Sequence, residues 1–292
     1  MTDRKAARGS PGRVAIVTDS GADLPPERAA AAGISVVPLV VRFDEAEYRD
    51  GVDLSTEDFW RRLSEPKAPF PRTAAPSAEA FRAVFEERFK GGASSIVCIT
   101  LSGDLSATLG SARIARQELP DREIHLIDSR SASMGVGMLA EMAVEQAAEG
   151  ASGAEIYAAL APRVGDLDIF VVLETLEFLR RGGRLNPARA AIGSVLSIKP
   201  IITVTDGRVE TAETPRTRGK ARERLFDLLC SRPMERLAVL HSMAPGAASF
   251  AEELTERAGL EAEAVSVQLI GPTVGSHIGP GAFGAVVLRP QA

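Results

Sequence analysis

One stretch constrains this chain more than any other: Ile96-Val-Cys-Ile-Thr-Leu-Ser-Gly-Asp-Leu-Ser-Ala-Thr-Leu-Gly-Ser-Ala112. It begins as a strand-length run of apolar and β-branched residues, breaks at Ser102-Gly103-Asp104, and takes helical spacing from about Ser106. A buried strand that opens into a helix leaves unpaired backbone N–H groups at the turn, backed by the positive end of the helix dipole. Such a turn can hold an anion, a carboxylate included. Ser106 equally fits the plain role of N-cap for that helix.

The same alternation runs through the first half of the chain. Arg13 to Thr18 reads as a buried strand, and Asp23-Leu-Pro-Pro opens a short Ala-rich helix closed by Gly33. Ile34 to Phe43 reads as a second strand interrupted at Pro38. Ser55-Thr-Glu-Asp58 carries a capping-box pattern. Residues 69–77 form a proline-punctuated loop, after which Ser77 caps a helix with Phe81, Val84, Phe85 and Phe89 on one face. A strand over Ile124 to Asp128 and a helix from about Ser133 to Glu149 complete the pattern, which predicts a parallel sheet with helices on both faces. Ligands of such sheets sit beyond the carboxyl ends of the strands. That rule places Asp19-Ser20, Thr73 and Ser102 to Ser106 along one rim.

Ala151-Ser152-Gly153 reads as a hinge, followed by a helix to about Val164. Beyond it the pattern changes. A strand over Asp168 to Glu174, a short helix over Leu176 to Arg181 and a helix opened by Asn186-Pro187 precede a hairpin signal, Asp206-Gly207. Later strands are expected at Leu237 to Ser242, Val265 to Leu269 and Phe283 to Leu288, with one helix, Ala247 to Ala258. The expectation is therefore an α/β fold in two parts. Residues 13–160 form a parallel-sheet α/β/α domain and residues 161–292 an α+β domain with a mixed or antiparallel sheet, after a disordered lead-in over 1–12.

Composition excludes several function classes. A net charge of −5 and the lack of a basic arm with interleaved aromatics leave no footprint for nucleic acid. No apolar run reaches membrane-span length, and the lead-in lacks the apolar core of a signal peptide. Cys98 and Cys230 read as reduced, buried small residues, and His125, His241 and His277 show no metal-ligand spacing. A cytoplasmic protein without a metal fits these features. Gly135-Val-Gly137 is not a dinucleotide fingerprint, because no strand directly precedes it.

Two further features carry chemistry. In Ile270-Gly-Pro-Thr-Val-Gly-Ser-His277-Ile-Gly-Pro-Gly281 a histidine sits between glycines in what reads as a loop, able to donate a hydrogen bond in either protonation state. Arg180, Arg181 and Arg184 surround a double glycine, and Arg216, Arg218 and Lys220 form a second basic group; both fit a solvated face or a dock for an acidic or phosphorylated partner.

Together, Val17 to Pro25, Thr73-Ala-Ala-Pro-Ser77, Leu101 to Ala112, Leu176 to Leu185 and Gly275 to Gly281, in this order and spacing, resemble the DegV family over about residues 13 to 289. That family includes the fatty-acid-binding subunits of bacterial fatty acid kinase. The resemblance implies two α/β domains with an acyl chain between them, no catalytic residue and no cofactor beyond the bound long-chain fatty acid. It also implies a kinase catalytic subunit as partner, with at most transient membrane contact. By motif it assigns the fatty-acid carboxylate to Thr73, Ser106 and His277, with Ser102 as the alternative serine, and partner docking to Arg184 and Arg216. The chain departs from the family pattern at Ala74, Ala75, Gly103 and Asp104, which brings an acidic side chain beside the expected carboxylate site. The rival reading of the same residues is a serine-dependent acyl hydrolase or transferase using Ser106 with His277 as base.

Overall fold

The computed structural model describes residues 12–185, 198–261 and 265–291. The expected lead-in lies outside them save for Gly12, as does the helix expected at Asn186-Pro187.

Apolar β-branched runs build the first sheet. β1 (Val14–Asp19) pairs in parallel with β2 (Ser35–Val37) and β6 (Ser95–Thr100), and β6 pairs in parallel with β7 (Glu123–Asp128), giving the order β2-β1-β6-β7. Every residue of β6 is buried, as expected of a strand covered on both faces. On one face lie α3 (Ala78–Lys90) and α4 (Thr108–Gln117), with Phe81, Phe85 and Phe89 packed on Ile96 and Cys98. On the other lie α5 (Met134–Ala148) and α6 (Gly153–Arg163). Ser152 and Glu155 form a reciprocal capping box at the start of α6, where Gly153 packs closely on Ser95.

The strands that follow α6 form a mixed sheet in the order β10-β9-β8-β13-β11-β12. They are β8 (Leu167–Val172), β9 (Ile201–Thr205), β10 (Arg208–Glu213), β11 (Arg236–His241), β12 (Val265–Leu269) and β13 (Phe283–Leu288). α8 (Arg218–Leu229) and α9 (Ala247–Ala258) cover its outer face through Leu225, Phe226, Phe250 and Leu254. α5 contacts β1 and β6 on one side and β8 and β13 on the other, which is why its first two turns, Met134 to Ala140, are buried all round. Its fingerprint-like glycines serve this packing, since a Cβ on Gly137 would crowd Met134 and the Ala22 carbonyl. Asp206 and Gly207 both have positive φ and close the β9–β10 hairpin.

The structure corrects several sequence-based expectations. Ile34 to Phe43 is not one strand: β2 ends at Val37, and β3 (Val40–Phe43) belongs to a separate antiparallel sheet with β4 (Ala46–Arg49) and β5 (Arg72–Ala74). Pro38 lacks the N–H needed to continue a ladder. The proline-punctuated loop thus contains β5, three residues long. The glycine-rich segment around His277 is a helix, α10 (Pro272–Ile278), begun by proline at its first position. Ser106 is not the N-cap of α4; Ala107 holds that place. Cys230 is exposed at the end of α8 rather than buried.

Candidate functional site

β5 carries Thr73 opposite Val41 of β3, while its neighbour Arg72 is exposed. From the mixed-sheet half, α10 brings His277 to it: Thr73 Oγ1 and His277 Nε2 lie 2.8 Å apart although 204 residues separate them. Glycine makes this approach possible. A Cβ on Gly275 would stand 2.7 Å from the Trp60 ring on α2 (Thr56–Leu63), and one on Gly182 would stand 2.3 Å from His277 Nδ1. Gly279, with φ of +71°, turns the chain over the Phe178 ring.

Thr73 and His277 line one end of a slot between the two sheets, together with Ser106 and Arg184. The rest of its wall is mainly aliphatic and comes from both halves: Leu39, Leu101 and Leu105 from the first, Ile169, Val171, Ile202 and Leu240 from the second. The slot holds about 740 Å³ of space free of protein atoms, mouth included.

Each polar group has a defined state. His277 is half-buried in the wall of the slot, and desolvation, then the nearby Arg184 guanidinium, pushes its pKa down to about 4. The imidazole is therefore neutral at pH 7, and Nδ1 has no hydrogen-bond partner among the described residues. Arg184 donates from Nε to the Leu105 carbonyl at 3.1 Å and from Nη1 to the Gly182 carbonyl at 2.7 Å, joining the two halves. The Ser106 hydroxyl lies 2.8 Å from Thr108 Oγ1 and accepts the Thr108 N–H. A cation, hydroxyls and a neutral imidazole can all donate to a carboxylate.

Ser102 and Arg216 are not in this wall. Ser102 is buried, and its hydroxyl donates to the Gly207 carbonyl at 2.7 Å, fastening the hairpin tip to the β6–α4 loop. Arg216 is exposed between β10 and α8. Asp104 is not aimed at the polar end: Arg208 binds its carboxylate through Nε at 3.0 Å and Nη2 at 2.9 Å. The nucleophile–base pair of the hydrolase reading is not assembled, because Ser106 bonds Thr108 and His277 bonds Thr73. No carboxylate orients Nδ1 among the described residues.

The sequence pattern places Asp19 on the ligand rim and gives no site role to Asp23 or Asp50. Asp19, Asp23 and Asp50 are buried near one another, and burial raises their pKa values to about 7, 8 and 6. Asp19 accepts from Gly21 N–H and Leu101 N–H; Asp23 accepts from Ser133 Oγ and Gly271 N–H. The polar turn after β1 is the sequence signal for Asp19 alone; Asp50 directly follows β4. A carboxyl raised in the folded state keeps its proton there after the unfolded chain has released it near pH 4, so stability falls as pH rises to about 8. His277 works oppositely: its neutral folded form makes stability rise between pH 4 and 6.5, and it is spent above that. Asp23→Asn is therefore expected to flatten the loss of stability between pH 6.5 and 8, by at most about 2 kcal/mol. Its amide still accepts from Gly271 and can donate to Ser133. Urea midpoints of the two proteins at both pH values check this; equal slopes would refute it.

Two α/β lobes closing on an aliphatic channel with one polar end define the architecture. Which protein class carries it is settled by comparison. The family described as "Uncharacterised protein, DegV family" matches residues 13–289, and this chain belongs to the DegV family. A DegV domain-containing protein of Streptomyces coelicolor is 34% identical over 279 residues, covering 94% of this chain and 98% of its own. Among solved structures, the DegV family protein of Thermus thermophilus, described for its fatty acid binding, has 35% identity and a TM-score of 0.86, with 95% of this chain and all of that one covered. A stearic acid-binding protein of Eubacterium ventriosum has 27% identity and a TM-score of 0.82, covering 94% and 97%.

Proposed function

We propose that this chain is a non-catalytic fatty-acid carrier of the cytoplasm. It buries a long acyl chain in the interlobe channel and presents the carboxyl group to a separate kinase subunit that forms acyl phosphate. The observation that carries this reading is the meeting of Thr73, Ser106, Arg184 and His277 in a channel whose wall is mainly aliphatic. A buried carboxylate is costly unless paired, and here a guanidinium and several neutral donors surround it. Each buried methylene adds about 0.8 kcal/mol, so the tail supplies most of the affinity. The fatty-acid-binding relatives support the same ligand class.

Arg184, in the channel wall, serves the head group as well as the partner, whereas exposed Arg216 serves docking alone. Lipid extraction and mass spectrometry of the purified protein test the ligand; a chain that neither carries nor takes up fatty acid ends the proposal. Thr73→Val with His277→Gln is expected to weaken binding by at least roughly tenfold, since a hydrogen bond to a charged group contributes about 1.5–3 kcal/mol. Arg216→Ala is expected to leave lipid affinity intact and slow acyl phosphate formation, and Arg184→Ala to reduce both.

A further inference from the structure

We infer that Asp50, acting through Thr273, is a positioning residue for His277. α10 carries His277 one turn beyond Thr273, the two side chains stacked on the face that lines the channel. The first turn of this helix is held by groups far away in sequence. The Asp50 carboxylate accepts both the N–H and the hydroxyl of Thr273, and Ser20 donates to it in turn. Asp23 accepts the Gly271 N–H at 3.1 Å, and Trp60 Nε1 donates to the Ile270 carbonyl at 2.7 Å. All three anchors come from before residue 61, in the half that also supplies Thr73.

These contacts do more than fill hydrogen bonds. α10 is only seven residues long, too short to hold its own geometry, so its placement comes from tertiary anchors. A rise of about 1.5 Å per residue separates Thr273 from His277 by roughly 6 Å. A shift or fraying at the first turn therefore reaches the imidazole, whose Nε2 must stay within hydrogen-bond reach of Thr73 and whose Nδ1 is pressed against Gly182. Asp50 and Thr73 flank the same β3–β5 sheet region: Asp50 N–H bonds the Leu39 carbonyl just before β3, and Thr73 pairs with Val41 on β3. One sheet thus fixes both the histidine's partner and the base of the helix that carries it.

The test reads the imidazole rather than stability. The chain has three histidines, so ¹⁵N-histidine NMR resolves them, with His277→Gln giving the assignment. In the wild type, the His277 ring is expected to stay neutral down to about pH 5. In Thr273→Val, an isosteric loss of the hydroxyl, its titration midpoint is expected to rise by a unit or more as the ring loosens and hydrates, and Asp50→Ala should do the same. Thr273→Ser, which keeps the donor, should restore the wild-type curve, and Thr273→Val combined with Asp50→Ala should shift it little further than either alone. An unmoved midpoint in both single variants, or equal shifts in Thr273→Ser and Thr273→Val, would overturn the inference. Only its lipid readout rests on the fatty-acid reading. A shifted imidazole with undiminished fatty-acid affinity would keep Asp50 as a positioning residue and remove His277 from the head-group site.

Discussion

Ala132→Phe is expected to block acyl-chain uptake while leaving the protein folded. Ala132 is half-buried just before α5 and lines the channel. A phenyl ring there occupies the path a tail would take. Excluding as few as three methylenes removes about 2.4 kcal/mol, roughly sixtyfold in affinity, and a longer block removes more. Because the ring enters space the protein leaves unfilled, the strain of overpacking a filled core is largely avoided. Titration with a fluorescent fatty acid, alongside a melting curve, checks this; wild-type affinity in a folded variant would refute the channel as the tail's path.

Trp60→Ala is expected to destabilise the protein by about 4 kcal/mol, within the range for deleting a buried tryptophan. Trp60 is almost fully buried, meets Phe59 edge-on with ring centroids 4.8 Å apart, and forms the surface on which Gly275 rests. Its removal leaves a void beneath α10 and the Ile270 carbonyl without its indole donor. Native stabilities of roughly 5–15 kcal/mol make such a loss a large share of the whole. Trp60 is the sole tryptophan, so circular dichroism in urea must follow the transition. A loss below about 1 kcal/mol would contradict this account of the α2–α10 contact.

Features set by local chemistry were legible in the sequence. Ser55 and Ser77 each accept the backbone N–H three residues on, because a serine at an N-cap reaches its own first turn. Asp206-Gly207 closes a hairpin because both tolerate positive φ. Features set by distant contacts were not. Three-residue β5 is too short for any periodicity and exists through its pairing with Val40–Arg42. α10 read as a loop because Gly275 and Gly279 are usual loop residues, yet here they admit Trp60 and Phe178; proline at the first helical position was the one clue.

The candidate site divides the same way. No sequence pattern joins Thr73 to His277 across 204 residues; only the family resemblance paired them, and the fold brings them within 2.8 Å. The β6–α4 turn drew notice as an anion-binding corner, and its serines separate in the structure: Ser106 lines the channel, while Ser102 fastens the hairpin. The aliphatic wall was illegible because core and channel residues share one composition. Arg184 read as a surface charge because its neighbours Arg180 and Arg181 belong to a short basic cluster, whereas its own guanidinium is tied to two backbone carbonyls.

From Met134 to Ala140 every residue of α5 is buried between one sheet and the other, and the helix meets solvent only further on, at Glu145 and Ala148. A bulkier residue on the buried stretch is expected to strain the packing against both sheets at once. The two lobes thus share a helix that contributes no residue to the channel lining.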